Sequence, residues 1–133
     1  MLKLFCVFAF TATSALSAGL SQNETKLVGT WEASGGRGPI VVYHRDHTEE
    51  VWFPGFDGGK WIMMSKGTWH LDGNDIVADF KFTFRAPDPG ETMKIFRGRT
   101  KVIEFRQDRL ICDGHPNLLI RVNSSRLQHL TKR

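Results

Sequence analysis

Cysteine is scarce in this chain. There are two among 133 residues, and Cys6 lies in an apolar segment near the N-terminus. Long hydrophobic runs are missing too. The only continuous one, Leu4 to Ala12 apart from Thr11, is about half the ~20 residues that a bilayer-spanning helix needs. Little of the chain shows the 3.6-residue periodicity of a helix, and no strand–helix–strand rhythm occurs, which excludes a parallel sheet. Neither sign of charge dominates, with a net charge of +4. The basic surplus gathers after Arg97, but without the aromatic interleaving of a nucleic-acid surface, and a solvated strand face explains it. No nucleic-acid partner is expected.

Chemistry-bearing constellations are also absent. The five histidines (His44, His47, His70, His115, His129) show no paired metal-ligand spacing. His44-Arg45-Asp46-His47 comes nearest, and there Asp46 is better read as a turn residue bonding its own backbone. No serine sits in a glycine-flanked nucleophile turn. Asp57, Asp72, Asp75 and Asp113 fall beside glycine or asparagine in turns, and no spacing selects a catalytic pair. The glycine-rich loops lead into strands, so none offers the helix terminus of a phosphate site. These gaps argue against an enzyme, a metal centre and a cofactor.

What the chain does have begins at its front. Met1-Leu2-Lys3, the apolar run and the small residues Thr13 to Ala18 form the three-part layout of a secretory signal peptide, cut after Ser17 or after Ala18. Residues 1–17 are read as this leader, and export to a secreted or periplasmic location follows. No transmembrane segment remains after cleavage. Cys112 is then the sole cysteine, so no intramolecular disulfide can form, and its strand face shared with Leu110 predicts burial as a small hydrophobe. The sequons at Asn23 and Asn123 matter only in a glycosylating host.

The mature chain reads as strands. In Asp75 to Arg85, Ile76, Ala78, Phe80, Phe82 and Phe84 fall on one side and polar residues mainly on the other, the period of two of a half-buried strand. Leu27–Ala33, Ile40–Arg45, Thr48–Phe53, Trp61–Leu71, Met93–Arg106, Leu110–Cys112 and Leu118–Val122 supply the rest, Met93–Arg106 as one bent strand or two. Asp72-Gly73-Asn74 is the strongest hairpin turn, expected as type I′. The fold class is all-β: a small antiparallel meander β-barrel of about eight or nine strands, spanning residues 27–122. Residues 18–26 read as a flexible polar lead-in and 123–133 as a basic tail with at most a short helical turn.

Leu27-Val28-Gly29-Thr30-Trp31-Glu32 resembles the Gly-x-Trp opening of lipocalins and of small bacterial lipocalin-like domains, and avidin-type barrels open similarly. Gly67-Thr68-Trp69 repeats the pattern before the alternating strand. The resemblance implies that Gly29 and Gly67 permit close approaches while Trp31 and Trp69 close the core. It also implies an arginine across the first tryptophan, a place that Arg121 or Arg126 could fill. Two departures stand out: the chain is short for a full lipocalin, and no segment presents itself as the helix packed outside the barrel.

The barrel interior is expected to carry Val51, Phe53, Phe80, Phe82, Ile103 and Phe105, and Trp52, Phe56 and Trp61 flank a loop that would line its mouth. An eight-stranded barrel either fills with side chains or holds one small ligand. A small hydrophobic ligand bound in the barrel is therefore one expectation. A filled interaction module that contacts a protein or envelope component is the alternative.

Overall fold

The computed structural model describes residues 19–55, 59–86, 88–114 and 116–132. The leader, Phe56 and His115 lie outside the described residues. Eight strands close into one barrel: β1 (Gly29–Ala33), β2 (Ile40–Tyr43), β3 (Thr48–Phe53), β4 (Ile62–Asp72), β5 (Asp75–Phe82), β6 (Phe96–Phe105), β7 (Arg109–Asp113) and β8 (Leu118–Val122). Each pairs antiparallel with the next, and β8 returns to β1 with Trp31 opposite Arg121. Met93–Arg106 thus yields one strand. The β4–β5 turn has positive φ at Gly73 (+60°) and not at Asn74, which is the type II′ pattern rather than type I′.

Two short helices, α1 (Gln22–Leu27) and α2 (Ser125–Thr131), flank the barrel. Neither is long and apolar enough to cross a membrane. The segment expected to be a flexible lead-in is α1, and local chemistry explains why. Ser21 caps the helix by accepting from the Glu24 N–H, and the Glu24 carboxylate accepts from the Ser21 N–H in return. Such a capping box satisfies two otherwise orphaned donors. The same carboxylate reaches the Leu71 N–H (3.1 Å) and His47 Nε2 (3.2 Å), fixing α1 across the barrel end. Burial alone would raise the Glu24 pKa, but the hydrogen bonds from Ser21, Leu71 and His47 outweigh it and hold the carboxyl below its ordinary value.

α1 seals one end of the barrel. Its last residue, Leu27, is buried, and the Trp31 indole Nε1 donates to the Leu27 carbonyl (2.8 Å). Trp31 and Trp69 are the two largest fully buried side chains, at 0% and 1% exposure. Each removes ~200 Å² from water, worth on the order of 5 kcal/mol. Tyr43 meets Trp69 edge-on at 5.2 Å, and Leu110, Cys112 and Leu119 complete this floor. Cys112 is a free, buried thiol.

The C-terminal tail holds the outer helix that the sequence did not reveal. Leu127 and Leu130, three residues apart and so on one helical face, cover Ile40, Val42, Trp52 and Trp61 on the barrel's outside. Arg126 pairs with Glu32 at 3.3 Å, and the Trp61 N–H donates to the Leu130 carbonyl. Elsewhere the outer wall carries ion pairs such as Arg97–Asp79 and Arg99 with Asp72 and Asp75.

Candidate functional site

Opposite the α1 end, the barrel opens into a cavity of about 600 Å³. Strand parity builds it. On β3, Glu49, Val51 and Phe53 point inward, while Glu50 and Trp52 point out and hydrogen-bond each other. On β5, Ile76, Ala78, Phe80 and Phe82 line the wall. Because β3 and β5 both run from the closed end to the open one, Glu49 and Ile76 lie deep, and Phe53 and Phe82 stand at the mouth. β6 overruns β7: Phe96 to Thr100 have no β7 partner, so the opening extends down that side past Arg99 and Asp113.

Four of the six expected interior residues, Val51, Phe53, Phe80 and Phe82, line this cavity. Ile103 does not. It is 63% exposed, because the β6–β7 register shifts between Val102 and Glu104 and extrudes it as the extra residue of a bulge. Val102 and Phe105 then share the inward face. Phe105 packs outside the cavity, against Trp31 at 6.1 Å in the sealed end. Trp52 and Trp61 are not at the mouth either, since α2 covers them on the outer wall. The aromatic rim lies across the barrel instead, where Phe82 contacts Phe80, Phe84 and Phe96 at 5.1–5.6 Å. Phe84 lies two residues beyond the end of β5 and is 54% exposed, so the inward row ends at Phe82.

The glycine–tryptophan pairs have physical roles here. Gly29 has φ +142°, and a Cβ there would fall 2.5 Å from the Arg121 Nη1. That guanidinium lies 4.3 Å from the centre of the Trp31 ring. It donates to the carbonyls of Val28 (2.8 Å), Gln107 (2.7 Å) and Lys26. Arg121, not Arg126, therefore covers the tryptophan. At Gly67 a Cβ would lie 1.9 Å from the Asp79 carbonyl oxygen, so β4 and β5 approach more closely than any side chain permits. The Asp46 carboxylate accepts from the Thr48 N–H and hydroxyl, as its turn reading requires.

Sequence reasoning missed Glu49. It is 5% exposed, and no hydrogen bond or ion pair reaches its carboxyl among the described residues. No buried side-chain oxygen there is both sealed and unbonded, so this carboxyl is not fully sealed; Glu49 lines the cavity and also a hollow shared with Glu50, Lys66 and Lys81. Tyr43, its cross-strand partner, and Ser65, partner of Val51, add two hydroxyls to the same wall. Burial pushes the Glu49 carboxyl from 4.5 up to about 7. Burial also raises the Tyr43 phenol and pushes the Cys112 thiol to about 11. The signal for Glu49 was available: it shares a face with Val51 and Phe53.

An acid whose folded pKa is raised stabilises nothing by ionising. The unfolded chain loses the proton near 4.5 and the folded chain near 7, so stability falls as pH rises through that window. Glu49→Gln should therefore stabilise the protein by on the order of 3 kcal/mol at pH 8 and make little difference at pH 4. Urea denaturation at the two pH values measures this. Equal midpoints for variant and parent at pH 8 would show that Glu49 is solvated.

No protein-family model, curated protein or solved structure matches the chain, so the cavity's own chemistry is the basis for assigning a function.

Proposed function

We propose that this is an exported, lipocalin-like binding protein that holds a small molecule with an apolar body inside its barrel. The observation that carries the reading is the cavity of about 600 Å³, closed below by Trp31 and Trp69 and walled mainly by apolar residues, among them Val51, Ile76, Phe80 and Leu119. Ligand sites are concave and mostly apolar, with few polar groups, and span ~300–1,000 Å³. The lipocalin likeness draws support from Gly29, Trp31 and Arg121, which work as one unit at the sealed end. Export draws support from the N-terminal sequence. The reading is non-catalytic, and a thiol held at about 11 is a poor nucleophile at neutral pH.

Titration with a polarity-sensitive fluorescent fatty alcohol tests this. Saturable enhancement at one probe per protein is expected, displaced by an unlabelled alkanol. Ala78→Phe, which fills the cavity, should weaken binding about tenfold or more, whereas Ile103→Ser on the outside should not change it. Near-ultraviolet circular dichroism confirms that each variant keeps its packing. Unsaturable enhancement, or equal binding by both variants, would reject the cavity as the site. The intact mass of the exported product should fit a chain beginning at Ala18 or Gly19.

A further inference from the structure

Resting on the binding reading above, we propose that the cavity selects an amphiphile with a protonated amine head, bound head-down with its ammonium on Glu49 and its alkyl body along Phe80. The position of Glu49 is the first reason. It sits at the deep end of β3, where a ligand's inner tip would end, and on this largely buried residue the carboxyl has no hydrogen bond or ion pair among the described residues. A buried carboxylate is costly unless something pairs with it. Nothing in the described wall does so, and a ligand cation would.

The neighbours of Glu49 fit the same head group. Tyr43 stands directly opposite it on β2, and Ser65 lies two residues from its other cross-strand partner, Gly67. An ammonium has three donors and no acceptor. The Glu49 carboxylate and the two hydroxyls supply three acceptors. An anionic head group would find no free cation at this depth. Among the described residues Arg99 is the one basic residue that borders the cavity, and its guanidinium lies on the outer wall, held by Asp72 (2.7 Å) and Asp75 (2.6 Å). Lys66 and Lys81 line a second hollow together with Glu49 and Glu50, and neither forms an ion pair with Glu49.

The proposal predicts how affinity changes with pH. Tyr43 on β2 stands opposite Glu49, Cys112 and Asp113 on β7 and Arg99 on β6 border the same cavity, and Glu50 on β3, Lys66 on β4 and Lys81 on β5 share the second hollow with it. Burial holds the Tyr43 phenol and the Cys112 thiol protonated through neutral pH. Burial keeps Glu49 protonated until about pH 7. An alkylammonium ion must displace that proton, so its affinity rises with pH.

Isothermal titration with decylamine, decanol and decanoate tests the idea. Decylamine should bind at least about tenfold tighter than decanol at pH 8, and decanoate should bind weakest. Decylamine affinity should rise about tenfold between about pH 6 and about pH 8, while decanol affinity stays flat. Glu49→Gln should erase the amine's advantage and its pH dependence while decanol still binds. The pH series on the unmodified protein decides the matter even if the variant is perturbed. Equal affinity for all three probes, or an amine affinity that does not vary with pH, would overturn the amine head and leave the cavity a ligand site. If none of the three binds, the binding reading falls, and the amine head with it.

Discussion

Arg121→Ala is expected to cost about 4 kcal/mol of folding stability, although Arg121 lies on the last strand and is partly exposed. Three contributions combine. The guanidinium caps the carbonyls of Lys26 and Val28 at the end of α1, and the Gln107 carbonyl in the β6–β7 turn. Hydrogen bonds to a charged group are worth ~1.5–3 kcal/mol when made, and truncation leaves carbonyls in need of new partners. Its position 4.3 Å from the Trp31 ring centre adds ~1–2 kcal/mol of cation–π attraction. Burial already lowers the Arg121 pKa, a sign that this guanidinium is drawn partly out of water. Arg121→Lys keeps the charge but loses the planar fork, so it should recover less than half of the loss. Denaturant midpoints measure both variants. A loss below about 1 kcal/mol for the alanine variant would mean that the sealed end does not depend on this side chain. Gly29→Ala couples to it: in the Arg121→Ala background its clash disappears and only the strain of φ +142° remains.

Gly67→Ala should be at least as damaging, about 4 kcal/mol or more, and its cause is backbone rather than side chain. The added methyl carbon would lie 1.9 Å from the Asp79 carbonyl oxygen and 2.6 Å from the Phe80 Cα. Rotamer changes cannot relieve contact with main chain, so β4 and β5 would have to separate. These two strands share eight register pairs, from Ser65–Phe82 to Asp72–Asp75. Opening them moves Phe80 and Phe82, and hence the cavity wall. Gly73→Ala is the fitting comparison. Nothing lies within 4 Å of a Cβ there, so only the left-handed φ of +60° costs anything, ~1 kcal/mol. Thermal melts of the two variants give the ordering, and equal destabilisation would show that β4 and β5 adjust freely.

The barrel was legible because its evidence is local. Alternation from Ile76 to Phe82, turn residues at short intervals and the Gly-x-Trp opening each need only a few neighbouring residues. The errors share one cause, which is that parity along a strand ignores what happens across strands. Ile103 follows the inward parity of Phe105 until a bulge inserts one residue, and a bulge depends on the partner strand β7. Trp52 and Trp61 read as a loop's aromatic flanks because their cover, Leu127 and Leu130, lies more than sixty residues away in sequence. The Leu127-x-x-Leu130 spacing was visible, yet a seven-residue helix gives too short a periodic signal to stand alone. α1 did carry a local signal, the Ser21-x-x-Glu24 capping box, but the helix has only six residues and its anchoring through Glu24 to Leu71 and His47 is long-range. Glu49 was overlooked for the opposite reason: parity placed it inside, and a lone acid among apolar residues reads as a strand's wet face.

The central claim is that a small molecule with an apolar body lies inside this barrel. The most direct measurement is isotope-filtered NMR on the protein saturated with decanol. The alkyl protons should show nuclear Overhauser contacts to the methyls of Val51, Ile76 and Leu119, which face the cavity. Contacts confined to Leu127, Leu130 or Ile103, all outside the barrel, would contradict the claim.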